Sequence, residues 1–151
     1  MLKKVAIESP YKGDVTKNTE FCQNVCKWAI LNGLNPFAMH LFFTLFLNDS
    51  VELERNLGIN CGLGWTDLAD EVWFCLRPDD KISSGMTLAI ERNKKVVKNG
   101  KIRKARFLLF LQEGYPLGQI MDDGQMQMFC TIDSSGMNLE PSLAQQYLLK
   151  N

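Results

Sequence analysis

Short apolar runs alternate along this chain with stretches of helical periodicity, and that alternation leaves few folds open to it. Val5-Ala6-Ile7, Leu34 to Met39, Asp70 to Leu76 and Arg106 to Leu111 read as strands, with Pro36 near the start of the second. Between the first two, Phe21, Val25, Trp28 and Ala29 recur at i, i+4, i+7 and i+8, which marks one face of a helix from about Val15 to Asn32. Asp14 or Thr16 can cap its start, and Asn32-Gly33 ends it. A compact apolar segment, Leu41 to Leu47, follows the second strand. Two further helices are expected over about Val51 to Leu68 and Ser84 to Lys98, the latter ended by Asn99-Gly100. Gly58, Gly62 and Gly64 cost roughly 1 kcal/mol each against alanine inside a helix. They imply close backbone packing or a break. The βαβαβαβ order predicts an α/β fold, a mainly parallel sheet with helices on both faces. Ligands of such sheets bind at the carboxyl ends of the strands. The loops after Ile7, Met39 and Leu76 are therefore expected to line one site.

The tail differs in character. Leu117 to Met121 and Gln125 to Ile132, joined by Asp122-Asp123-Gly124, suit a β-hairpin. Pro141 to Lys150 suits a short closing helix with proline in its first turn. The expected organisation is an α/β domain over 1–112 and a C-terminal extension over 113–151, packed on it or on a partner subunit.

Composition narrows the function classes. With 151 residues the chain is long enough for one domain with a full core. Lys+Arg and Asp+Glu are both 17, so no global field favours nucleic acid or an anionic membrane, and neither is expected as a partner. The local basic run of Lys94, Lys95, Lys98, Lys101, Arg103, Lys104 and Arg106 reads as a solvated helix end and loop. Met1-Leu2-Lys3-Lys4 leads straight into a strand without a signal peptide, and no apolar stretch reaches the roughly 18 residues of a membrane span. A cytoplasmic location is the expectation. The five cysteines, Cys22, Cys26, Cys61, Cys75 and Cys130, form no CxxC pair and read as reduced core residues. No metal site and no cofactor are expected.

Three segments coincide with the three predicted loops. They are Ser9-Pro10-Tyr11-Lys12-Gly13-Asp14 with Asn18 behind it, Pro36 to Phe43 with the single histidine, His40, and Ile82-Ser83-Ser84-Gly85-Met86 after the Asp70–Leu76 strand. Ser83, Ser84 and Gly85 open a helix after a strand and loop, where unpaired N–H groups and the helix dipole attract a phosphate or carboxylate. Gly85 permits close approach to the backbone. An ordinary N-cap and turn would use the same residues. Asp14 suits a cap better than a ligand contact, while Asn18, Tyr11 and His40 divide between packing and binding.

In order and spacing these segments resemble the nucleoside 2-deoxyribosyltransferase-like superfamily, over roughly Lys4 to Val97. Within it they are similar to a group found in phage and bacterial genomes, with an S-P-Y-R-G-D start and an S-x-G-M helix start. The resemblance implies a flavodoxin-like fold, a ligand carrying a ribosyl or deoxyribosyl phosphate, and a homo-oligomer whose neighbouring subunit completes the pocket. It implies ligand-binding roles for Ser9, Tyr11, Gly13, Asp14, Asn18, His40, Ser83, Ser84, Gly85 and Met86. It also exposes a gap. The family's catalytic glutamate, four residues after the glycine matching Gly85, falls here at Ala89. Two further family acids fall at Ser83 and Gly62. Glu91 lies ~200° around the helix from Ala89 and is a weak catalytic candidate. Asp67 and Glu71 are nearby acids at positions that match none of the three.

The expected function is thus a nucleotide- or ADP-ribose-type binding protein with a degenerate N-glycosidase site, such as a phage sequestering or inhibitor protein. One alternative is an active nucleoside or nucleotide N-glycosidase or deoxyribosyltransferase. Another is an interaction module with a vestigial pocket, in which the methionine-rich tail (Met121, Met126, Met128, Met137) engages a host protein.

Overall fold

The structure is a computed structural model that describes residues 1–121, 123 and 125–128. It is an α/β fold with the flavodoxin-like strand order. The strands are β1 (Lys3–Glu8), β2 (Leu34–Phe37), β3 (Glu71–Leu76), β4 (Val97–Lys98), β5 (Lys101–Ile102), β6 (Lys104–Phe110), β7 (Pro116–Ile120) and β8 (Met126–Met128). The main sheet has six of them in the order β2-β1-β3-β6-β7-β8. The first four run parallel, and β7 and β8 add antiparallel at the far edge.

Alternation along each central strand divides the core in two. Val5 and Ile7, Trp73 and Cys75, Leu108 and Phe110 face α1 (Val15–Leu31), meeting Phe21, Cys22, Val25 and Ala29. Ala6, Val72, Phe74, Leu76 and Leu109 point the other way, where Met86 and Ala89 of α4 (Ser84–Asn93) pack. A strand buried on both faces is apolar almost throughout; all six residues of β3 are buried, and the five after Glu71 are apolar. Between β2 and β3 lie α2 (Met39–Phe42), a 3₁₀ turn at Phe43–Leu45 and α3 (Glu52–Thr66).

The expected glycine effect in α3 resolves position by position. A Cβ on Gly62 would lie 2.8 Å from Met39 Cβ and closer still to its sulfur, so the glycine lets α2 pack against α3. Gly58 would meet Leu47 Cδ1 at 3.1 Å, whereas Gly64 has nothing within 4 Å. Gly62→Ala is therefore expected to cost about 1–3 kcal/mol by overpacking, and Gly64→Ala to stabilise by roughly 1 kcal/mol, in urea unfolding. Equal effects at the two positions would refute the packing role.

Several boundaries depart from the sequence reading. β2 stops at Phe37, and Met39 already belongs to α2. α4 ends at Asn93, not at Lys98. The Asn93 side chain donates to the Arg103 carbonyl at 2.9 Å and accepts from Arg103 Nε at 2.7 Å, so it binds the returning chain. Asn99-Gly100 is the turn of the small β4–β5 hairpin, with φ of 52° and 74°. Positive φ at both central residues is what a two-residue hairpin requires and what Asn-Gly supplies. The basic run is not uniformly solvated either. Arg103 is buried, and Arg106 is half-buried on Glu71 and Gln119. The first arm of the predicted tail hairpin and the start of the second are β7 and β8. The rest of that arm, Cys130, Met137 and the Pro141–Lys150 segment lie outside the described residues. No helix among the described residues is long and apolar enough to cross a membrane.

Candidate functional site

β1 leads to β2 on one side and is flanked by β3 on the other, so the carboxyl ends of β1 and β3 form the switch point of the sheet. A cavity of about 100 Å³ opens there. β1 and its loop contribute Glu8, Ser9, Tyr11 and Lys12; α2 contributes Met39 and His40; the start of α4 contributes Ser83 to Met86. The three predicted segments therefore meet at one place. Asp49, with Arg55 and Ile59 of α3, closes the remaining side, and Arg55 Nη1 lies 2.8 Å from Asp49 Oδ2. An adjoining hollow of about 60 Å³ shares His40 and Arg55 and is lined further by Phe43, Leu47 and Gly58.

Each predicted residue has a definite place. The Ser9 hydroxyl sits 3.4 Å from His40 Nε2, and the Tyr11 ring lies against the His40 ring at 5.4 Å between centroids. Burial pushes the imidazole down to about 4, partly opposed by Asp49, so His40 is neutral near pH 7. Ser83 caps α4, its Oγ accepting from the Met86 N–H at 3.2 Å. Ser84 and Gly85 line the cavity within the first turn, where N–H groups have no intrahelical acceptor. A Cβ on Gly85 would meet only Ser83 Oγ, at 4.0 Å, so no protein atom fills the space above this backbone.

Three predicted residues serve the scaffold. Asp14 is the N-cap of α1, its Oδ1 accepting from the Lys17 N–H at 3.0 Å. Gly13, at φ +96°, makes the turn before it. Asn18 is buried and donates through Nδ2 to the carbonyls of Tyr11 and Lys12, at 3.0 and 2.9 Å. Its Oδ1 accepts from Arg77 Nη2. Arg77 also binds Asp80 and Gln112 and covers the Phe21 ring at 4.8 Å. Asn18 thus shapes the loop carrying Tyr11 by bracing it from behind.

α4 brings no carboxylate to the cavity. Ala89 is buried in the core beneath the sheet, not at the pocket wall. Glu91 lies in a separate open groove between α3 and α4, paired with Lys94 at 2.6 Å and 59% exposed at its side chain. Asp67 pairs with Arg92 outside the cavity. Among the described residues no cluster of three or more His, Cys, Asp or Glu could hold a metal ion.

Sequence reasoning missed Glu8. It ends β1, is only 3% exposed and lines the cavity. Among the described residues no donor bonds its carboxyl, and since no fully shielded polar side-chain atom lacks a partner, its unbonded oxygens reach the open space of the cavity. Burial pushes that carboxyl up to about 8 against the opposing charge of Arg103. The signal was present in the sequence: an acid directly after Val5-Ala6-Ile7 and before Ser9-Pro10 sits at the carboxyl end of a buried strand.

Comparison with known proteins assigns a family but neither a fold nor a chemistry. No curated protein and no solved structure matches the chain. Residues 3–104, which span β1 through the start of β6 and hold every side chain of the cavity, match a family described as a domain of unknown function (DUF7768), and the chain belongs to that family.

Proposed function

We propose that this chain binds a small molecule in which a ribosyl-type sugar carries a phosphate, a nucleotide or an ADP-ribose-type compound. The carrying observation is the cavity at the switch point, where the uncapped N–H groups of Ser84 and Gly85 share a wall with Ser9, Tyr11 and His40. The helix start suits the anion. A cavity of about 100 Å³ suits a sugar-sized group, and the adjoining hollow with Phe43 and Leu47 offers an apolar surface to a base. The resemblance to nucleoside deoxyribosyltransferase-like proteins supports the same ligand class. It also supports self-association, for which Phe42, Phe46, Leu57 and Trp65 supply an exposed apolar face beside the site.

Calorimetry with AMP, dAMP and ADP-ribose, against inorganic phosphate and free ribose, tests this reading. Binding of a phosphorylated nucleoside with loss of at least tenfold in Gly85→Val is expected, because the larger side chain enters the open space above the backbone. Light scattering of the same sample should report a dimer or larger. Equal binding to wild type and Gly85→Val would dismiss the site.

Turnover is a second reading, and Glu8 favours it. A neutral carboxyl can protonate a leaving base as the N-glycosidic bond breaks and water adds to the anomeric carbon. Chromatography of the ligand after incubation separates the two readings: intact ligand means binding alone, and base released by wild type but not by Glu8→Gln means catalysis.

A further inference from the structure

Glu8 lines the cavity almost fully buried, and among the described residues no donor reaches its carboxyl. Buried polar groups are ordinarily paired, because leaving one unpaired costs free energy comparable to a lost hydrogen bond. The other deeply buried acid of the sheet, Glu71, illustrates this with three donors around it. Glu8 has none among the described residues, yet its side chain is turned into a cavity rather than to bulk water. Titratable and charged groups line the same cavity from several elements. Tyr11 and Lys12 come from its own loop, His40 from α2, and Asp49 and Arg55 form an ion pair with each other. β3 adjoins it with Cys75, and Arg103 acts on it through charge alone. The start of α4 brings no charged side chain.

We propose that Glu8 is a ligand-contacting residue: as a neutral carboxylic acid it donates a hydrogen bond to an acceptor oxygen of the bound sugar or phosphate, so that losing its proton expels the ligand. This assignment rests on reading the cavity as the site of a phosphorylated sugar. An apolar surround can hold a carboxyl neutral and make it a donor. The ionised form would place a second anion beside the one held at the start of α4, at a cost that the low local dielectric enlarges. The raised pKa of Glu8 agrees with this geometry. The site therefore selects ligands that present an oxygen acceptor at the end of β1, and rejects those that offer only a donor there.

The test is ADP-ribose binding by calorimetry between about pH 6.5 and pH 9, a range in which the diphosphate keeps one charge state. Wild-type affinity is expected to fall about tenfold across it, because only the protonated fraction binds. In Glu8→Gln the pH dependence disappears, with Lys12 and Tyr11 still in place. Glu8→Ala, which removes the donor, is expected to weaken binding at least fivefold at pH 6.5. Binding whose pH profile is the same in wild type and Glu8→Gln would overturn the role of Glu8 and leave the proposed ligand class standing. Affinity that rises with pH would overturn it as well, by showing an ionised acceptor. Absence of binding to every variant at every pH would overturn both.

Discussion

Replacing Glu8 by glutamine is expected to stabilise the protein by roughly 3 kcal/mol at pH 9, the reverse of what most buried substitutions do. The sign follows from linkage. The carboxyl titrates near 4.5 when exposed and about 8 in the fold. Below 4.5 it is neutral in both states and contributes nothing. As pH rises from 4.5 towards 8 the unfolded chain releases the proton and the folded one keeps it, so stability falls throughout that window. Above 8 the full cost of a buried, unpaired charge is present. The glutamine variant has no such slope. Urea unfolding at intervals from pH 5 to pH 9 measures it, and parallel profiles for the two proteins would show that Glu8 is solvated after all.

Replacing Glu71 by glutamine is expected to do the opposite, lowering stability by about 2–3 kcal/mol at pH 7. Burial pushes this carboxyl up, but hydrogen bonds from Arg106, Trp73 and Lys3 outweigh that and hold it at about 2. The bonds are 2.9, 3.1 and 3.0 Å long. The stabilisation is complete above the exposed value of 4.5 and disappears as pH falls from there through about 2. Acid unfolding followed by circular dichroism should show the wild type losing its advantage over the variant in that window. An advantage that persists below pH 2 would mean that the network acts through packing and not through charge.

The two acids sit on neighbouring strands at opposite ends of one sheet. Val5 pairs with Glu71 at the start of β3, and Glu8 pairs with Phe74 towards its carboxyl end. Glu71 belongs to the closed end, where Lys3, Trp73 and Arg106 donate to it. Glu8 belongs to the open end, where α4, α2 and the β1 loop leave a cavity. Free energy given up at one end of a fold and secured at the other is a common accompaniment of binding sites. That contrast is the physical reason behind the role proposed for Glu8.

The sequence alone determined the layers. Short apolar runs separated by helical periodicity lead to a parallel sheet covered on both faces, because each strand must be apolar at successive positions and each crossover needs a helix. It also placed three loops at one end of that sheet and, through Ser83 and Gly85, the start of α4 in the cavity. Local rules also located Asp14 as a cap and Gly33 as a helix stop, since both act within one turn of chain. Only the tertiary structure decided which loop residues face the cavity. Asn18 was divided between packing and binding by the sequence, and its bracing of two carbonyls and Arg77 is a matter of long-range packing. Asn93 reaching across to Arg103 ended α4 early, and no local propensity announces such a contact. Glu8 shows the division most sharply. Its position at a strand end could be read from the chain, but the want of a donor to it among the described residues could not, because that depends on what each packed element brings.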